Sequence, residues 1–133
     1  MVRRVHHIDF VVRDLEEATA RYARVLGIEP GPRERLEDRG VELVRFRLGE
    51  VWIILVQPVR RDSPVRAFLD EHGEGFFHIA YRVDDVAAEA ARLRGQGVRL
   101  ATDSPRRGVE GWRLVDVDMS ETCGVYTQLV EEG

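Results

Sequence analysis

The sequence contains neither lysine nor asparagine, so all 20 of its basic residues are arginines. The absence of lysine excludes Schiff-base catalysis, because that chemistry requires a lysine amine. Cys123 is the only cysteine, which excludes an internal disulfide and a cysteine-rich zinc site. No apolar run approaches the roughly 20 residues that a membrane-spanning helix requires. The sequence therefore predicts no membrane partner.

The composition is that of an ordinary globular protein. The chain has 133 residues, 33% of them charged and 44% hydrophobic, and its formal net charge is −4. A negative net charge without a dense basic stripe argues against nucleic acid as the main partner. The first residues lack the apolar core of a signal peptide, so we expect a cytoplasmic location.

The chain contains an internal repeat. Residues 5–28, VHHIDFVVRDLEEATARYARVLGI, resemble residues 76–98, FFHIAYRVDDVAAEAARLRGQGV, and residues 50–57, EVWIILVQ, resemble residues 124–131, GVYTQLVE. We predict one domain over residues 1–133, built from modules at about 1–62 and 74–133 and a linking helix at about 63–73. The aligned pairs include His7 with His78, Asp14 with Asp85, Trp52 with Tyr126 and Ile54 with Gln128.

Each module has the pattern of a strand, a helix and three further strands. The strands alternate apolar and other residues, and the helices carry apolar residues at helical spacing. Asp14 and Asp85 precede the two helices as candidate N-caps. The weakest strand of each module is expected near residues 32–37 and 99–103. The predicted class is α+β, with two βαβββ modules in tandem.

Alternation assigns the polar residues of the first strands to one face. Ile8 and Phe10 face the helix, which leaves His7 and Asp9 on the opposite face. His78 and Arg82 take the corresponding face in the second module. His6 is expected on the helix side, as a structural residue.

On these stretches, together with DSPVRAFLDEHGEG and ETCGVYTQLVE, the chain resembles the vicinal oxygen chelate superfamily, and within it the methylmalonyl-CoA epimerases most. Glyoxalase I, bleomycin-resistance proteins and extradiol dioxygenases belong to the same superfamily. The resemblance implies a cupped mixed sheet around a divalent metal, which could be Zn, Co, Ni, Mn or Fe. It also implies a homodimer.

The resemblance implies metal ligands at His7, His78 and Gln128. Family members carry a glutamate where this chain has Gln128, and many carry glutamate or glutamine where it has Ile54. Epimerases carry their catalytic base where it has Leu43. The resemblance therefore implies a metal site that has lost one ligand and the usual base.

Asp9 could compensate for these losses. It lies about 6.6 Å along the strand from His7. It could act as a catalytic base, as a distant ligand, or as a partner that orients an imidazole. Alternatively, it forms an ion pair with Arg45 or Arg82.

The remaining pocket candidates are mostly apolar. An apolar lining with a few polar groups suits a small-molecule site. The arginines could attract an anionic substrate. The predicted pocket residues are Leu43, Arg45, Trp52, Ile54, Arg82 and Tyr126.

Three functions remain open at this stage. The first is a metal-dependent lyase, isomerase or epimerase that stabilises an enolate of a small carbonyl, oxo-acid or acyl-CoA substrate. The second is a metal-free protein that sequesters a small molecule, as bleomycin-resistance proteins do. The third is a structural or regulatory protein that has kept only the fold.

Overall fold

The computed structural model describes residues 1–133 and contains three α-helices and eight β-strands, in one mixed sheet with the order β2-β3-β4-β1-β5-β8-β7-β6. This α+β arrangement confirms the predicted glyoxalase-like fold class. The helices are α1 (Leu15–Leu26), α2 (Pro64–His72) and α3 (Val86–Gly95). The strands are β1 (Arg4–Val11), β2 (Glu34–Leu36), β3 (Val41–Leu48), β4 (Val51–Pro58), β5 (Gly75–Arg82), β6 (Arg106–Arg107), β7 (Arg113–Val117) and β8 (Thr127–Glu131).

The strand order reflects the internal repeat. In the first module β1 is followed outward by β4, β3 and β2, and in the second module β5 is followed by β8, β7 and β6. Both modules thus use their first, fourth, third and second strands in the same order. The last two strands of each module are antiparallel, and β8 runs parallel to β5.

Each of the two compact units, residues 8–77 and residues 1–7 with 78–133, has its own apolar core. Burial of these side chains contributes about 25 cal/mol per Å² of apolar surface. In the unit of residues 8–77 the core contains Val12, Leu15, Val44, Phe46 and Leu55. In the other unit it contains Val83, Val86, Ala90, Val115, Val117 and Leu129.

Both modular helices begin at the predicted caps. The Asp14 carboxylate accepts a hydrogen bond from the Glu17 backbone N–H at 3.1 Å, and the Asp85 carboxylate accepts one from the Ala88 N–H at 3.0 Å. Each side chain satisfies a backbone donor that the first helical turn leaves without a partner. None of the three helices combines the length and the apolar character that a membrane span requires.

The weak strand of the second module differs from the prediction. Residues 99–103 contain only an isolated bridge between Leu100 and Val117, and the strand β6 lies at Arg106–Arg107 instead. Side-chain bonding explains the shift, because Thr102 Oγ1 and the Arg106 guanidinium both bind the Asp116 carboxylate. Pro105, which precedes β6, has no N–H to donate to a sheet.

Candidate metal and acid–base site

Two buried histidines lie next to each other on β1 and β5. His7 is 3% exposed and His78 is 6% exposed, and their ring centroids are 5.5 Å apart. With Asp9, two residues along β1 from His7, they form a group whose ligand atoms lie within 4.8 Å of one another. The two histidines predicted as metal ligands and the predicted catalytic residue are thus brought together.

The donor set of this group fits a divalent cation. Two imidazole nitrogens suit zinc, iron, cobalt and nickel, and a carboxylate oxygen adds a negative charge. All three donors are buried. This distinguishes the group from clusters of exposed acidic residues, which are common without a bound ion. The donors are His7, Asp9 and His78.

Gln128 presents an amide oxygen on the same face of the sheet as His78. It pairs with Ala80 of β5 in parallel register, and His78 lies two residues before Ala80. The side chain is 2% exposed, and its Nε2 donates to Asp116 Oδ1 at 3.0 Å. Its carbonyl oxygen Oε1 is buried and has no hydrogen-bond partner. A buried acceptor of this kind suits a bound cation.

Asp116 on β7 is the centre of a buried polar network that the sequence analysis did not identify. Its carboxylate accepts two hydrogen bonds from Arg106, at 2.8 and 3.0 Å, and one from Thr102 Oγ1 at 2.7 Å. Tyr126 Oη and Gln128 Nε2 each donate to Oδ1 at 3.0 Å. All the groups that contact this carboxylate are therefore donors.

The network determines the charge state of Asp116. Burial by itself would raise the pKa of the Asp116 carboxyl, but the hydrogen bonds and the charge of Arg106, with the hydrogen bonds from Thr102 and Gln128, hold its pKa far below the usual range. A carboxylate so weakly basic is a poor general base. Asp116 is thus a structural anion that orients its neighbours.

The first module contains a charge-swapped counterpart of this ion pair. Arg45 pairs with Ile54 across β3 and β4, as Asp116 pairs with Gln128 across β7 and β8. The Arg45 guanidinium donates to Glu34 at 2.7 and 3.1 Å. Cation and anion have therefore exchanged strands between the two copies.

The pocket candidates of residues 8–77 fall into an apolar and a cationic group. Leu43 and Ile54 are 5% and 3% exposed and offer no donor atom. The Arg45 and Arg47 guanidinium carbons lie 4.5 and 4.6 Å from the centroid of the Trp52 ring, as cation–π contacts. Glu34 on β2 is a carboxylate partner of Arg45.

The pocket candidates of the other unit are Tyr126 and Arg82. The Tyr126 and His78 ring centroids are 5.1 Å apart, and the Tyr126 hydroxyl is held by Asp116. Arg82 Nε lies 4.0 Å from Glu132 Oε1. Tyr126 thus contacts both a predicted ligand and the Asp116 network.

His6, predicted as a structural residue on the helix side, also contacts His7. Its side chain is completely buried, and its Nδ1 lies 2.8 Å from His7 Nδ1. The Trp112 ring stacks on His7 at a centroid distance of 5.3 Å and meets His6 edge-on at 4.5 Å. Strand alternation assigns neighbouring residues to opposite faces of the sheet. It therefore does not predict a contact between the Nδ1 atoms of His6 and His7, which are the ring nitrogens nearest the backbone. His6 and His7 are adjacent in the sequence, and this pair of histidines could have indicated the contact.

Comparison with known proteins identifies the family of the chain. Residues 6–115 match the sequence model of the Glyoxalase/Bleomycin resistance protein/Dioxygenase superfamily. The chain is 35% identical over 131 residues to the ethylmalonyl-CoA/methylmalonyl-CoA epimerase of Cereibacter sphaeroides, covering 97% of this chain and 98% of that protein.

Solved structures of epimerases share the fold. A variant of the Streptomyces coelicolor methylmalonyl-CoA epimerase in complex with 2-nitronate-propionyl-CoA gives a TM-score of 0.94 at 34% identity, covering 100% of this chain and 96% of that one. The Mycobacterium tuberculosis methylmalonyl-CoA epimerase gives 0.94 at 32% identity, covering 99% and 89%. The chain belongs to the Glyoxalase/Bleomycin resistance protein/Dioxygenase superfamily.

Proposed function

We propose that the protein is an epimerase or related isomerase that acts on an acyl-CoA thioester with a divalent cation at His7, His78 and Gln128. The observation that carries this proposal is the convergence of two buried imidazoles and one carboxylate within 4.8 Å. Its similarity to epimerases that act on methylmalonyl-CoA or ethylmalonyl-CoA supports the substrate class. A homodimer and a cytoplasmic location belong to the same proposal.

The residues present suit such a cation. His7 and His78 each offer one ring nitrogen, and Gln128 offers its buried Oε1, which has no hydrogen-bond partner. When bound, a divalent ion would supply Lewis acidity at a carbonyl oxygen and stabilise enolate charge. Zn, Co, Ni, Mn and Fe are all compatible with nitrogen and oxygen donors.

Asp9 is the proton-transfer group in this proposal. Inversion at the carbon next to a thioester requires removal of a proton from one face and delivery of another proton, which ultimately comes from solvent, to the opposite face. A carboxylate within reach of that carbon can remove the proton. Asp9 is 8% exposed and is the acidic member of the cluster, whereas the position of the usual epimerase base holds the apolar Leu43.

The test is solvent exchange at the acidic carbon. Methylmalonyl-CoA or ethylmalonyl-CoA is incubated in D₂O with the metal-loaded protein, and deuterium incorporation is followed by mass spectrometry. Exchange detects even a single proton transfer, so it does not depend on complete epimerisation. We expect His7→Ala and His78→Ala to lose both bound metal and exchange. The matched control is His72→Ala, since the His72 side chain is 53% exposed on α2.

Asp9→Asn separates the role of a base from that of a ligand. If Asp9 is the base, this variant keeps its metal content and loses exchange by about 10²–10⁴-fold. If the metal is lost as well, Asp9 is a ligand and another group carries the proton. A wild-type protein that takes up none of the five metals and exchanges no deuterium would overturn the proposed function.

The alternative function is metal-free binding of a small molecule. Leu43 and Ile54 favour it, because both are buried and neither can replace a missing base or ligand. Calorimetry against the same acyl-CoA thioesters distinguishes the two functions. Binding to the metal-free protein that is unchanged in His7→Ala, without any exchange, would identify a binding protein.

A further inference from the structure

His6 connects the first histidine of the cluster to a carboxylate near the protein surface. Its Nδ1 lies 2.8 Å from His7 Nδ1, and its Nε2 lies 2.9 Å from Glu132 Oε1. Glu132 follows β8, and its side chain is 38% exposed. The order is Glu132, His6, His7, and nothing in the proposed function uses the first two.

The position of Glu132 is defined by its neighbours. The Arg4 guanidinium donates to Glu132 Oε1 at 3.0 Å, and Arg82 Nε lies 4.0 Å from the same oxygen. An ionised carboxylate accepts hydrogen bonds and cannot donate them. A proton on His6 Nε2 is therefore favoured, because a lone pair there would face negative charge at 2.9 Å.

The position of the hydrogen on the neutral His6 ring then determines the tautomer of His7. A neutral imidazole has one N–H and one lone pair. With its hydrogen on Nε2, His6 offers a lone pair at Nδ1. Since the two Nδ1 atoms are 2.8 Å apart, the hydrogen between them must lie on His7. His7 then has its lone pair on Nε2.

We propose that Glu132 and His6 act as positioning residues, which hold His7 in the tautomer whose Nε2 can bind a cation. The inference rests on the proposed metal site and explains how the first ligand is prepared for it. Metal-binding histidines commonly donate their other ring N–H to a carboxylate or carbonyl group. Here a second histidine lies between the ligand and its carboxylate. Stacking of Trp112 on His7, at 15° between the ring planes, also restricts the orientation of the ring.

The first measurement is the tautomer itself, in the metal-free protein. A long-range ¹H–¹⁵N correlation spectrum of the histidine rings at about pH 8, where model imidazoles are neutral, distinguishes Nδ1–H from Nε2–H. His7→Ala assigns its signals. We expect His7 with Nδ1–H and His6 with Nε2–H in the wild type. His7 with Nε2–H would overturn the inference, whether or not the protein binds metal.

The second measurement is Zn²⁺ affinity in variants of Glu132, whose partial exposure makes misfolding a smaller risk than at the buried His6. Glu132→Ala should weaken Zn²⁺ binding about 10–100-fold and shift the His7 signals towards a tautomer mixture. Glu132→Gln keeps an acceptor oxygen and should recover part of the affinity. The control is Glu16→Ala, on the exposed first turn of α1.

The two proposals fail in different ways. Unchanged affinity and an unchanged His7 tautomer in Glu132→Ala would overturn the positioning role while leaving the metal site intact. A wild type that binds no Zn²⁺ contradicts the metal-dependent function. In that case the spectrum of Glu132→Ala still decides whether Glu132 and His6 set the tautomer of His7.

Discussion

Gln128 donates a hydrogen bond from its amide Nε2 to Asp116 Oδ1 at 3.0 Å across the β7–β8 pair. This bond fixes the orientation of the amide group. A carboxylate cannot accept from a carbonyl, so the oxygen of Gln128 must point away from Asp116. The neutral side chain of Gln128, a predicted ligand, is therefore oriented by a neighbouring anion.

Removing the charge of Asp116 should destabilise the protein strongly. Asp116→Asn leaves the Arg106 guanidinium, only 23% exposed, without its carboxylate. Loss of one partner from a buried pair costs about 3–5 kcal/mol of unfolding free energy, and we expect a value near the lower end because Arg106 retains some contact with water. Urea denaturation at neutral pH measures it.

The matched control is Asp84→Asn. Asp84 also accepts two hydrogen bonds from an arginine, Arg3, at 3.0 and 2.6 Å, but both side chains are more than half exposed. Screening by solvent makes such pairs weak, so the variant should be close to wild type. Equal losses in the two variants would show that burial does not determine the strength of the Asp116 pair.

The stabilisation from Asp116 should disappear in acid. Its folded-state pKa lies far below the ordinary carboxyl value of about 4 that applies to the unfolded chain. Below about pH 4 the unfolded chain takes up a proton that the folded protein does not, so stability decreases as the pH decreases. The difference between wild type and Asp116→Asn should be constant above about pH 5 and shrink by about 1.4 kcal/mol per pH unit below about pH 4. Chemical denaturation at a series of pH values tests this, and a constant difference would contradict it.

The regular parts of the fold could be predicted from the sequence because their signals are local. Both modular helices begin directly after the predicted aspartates Asp14 and Asp85. The internal repeat predicted the two tandem modules. Strand β6 could not be placed, because its position depends on side-chain bonds to Asp116 that have no sequence periodicity.

The candidate site was only partly predictable for the same reason. His7, His78 and Gln128 carry a repeat register and a family pattern, and they stay predicted ligands. Asp116 carries neither, since its counterpart in the first module is an arginine of opposite charge. His6 was assigned by alternation alone, which ignores the reach of its ring towards His7.

The two repeat-related helix caps should contribute equally. Asp14→Ala and Asp85→Ala each remove one side-chain acceptor from a first helical turn, and each should lower the unfolding free energy by about 1 kcal/mol. The Asp→Asn variants at both positions keep an acceptor oxygen and should lose much less. Thermal and urea denaturation of the four variants provide the comparison. An Asp→Asn loss as large as the Asp→Ala loss would mean that charge, and not capping, is responsible.

A second carboxylate beside Asp116 should destabilise the metal-free protein and increase its stabilisation by Zn²⁺. Gln128→Glu places two carboxylates on adjacent strands where a 3.0 Å hydrogen bond stood, so the metal-free protein should lose about 2 kcal/mol of stability at neutral pH. The same change provides a carboxylate ligand, so Zn²⁺ should raise the melting temperature of this variant more than that of wild type.

The double variant Gln128→Glu with Asp116→Asn distinguishes these two effects. It restores a donor opposite the new carboxylate, so its unfolding free energy should exceed the value expected from adding the losses of the two single variants. Its stabilisation by Zn²⁺ should remain large, because the carboxylate ligand is still present. Strictly additive losses would mean that Asp116 does not orient residue 128. Equal Zn²⁺ stabilisation of wild type and both variants would mean that this side chain is not a ligand.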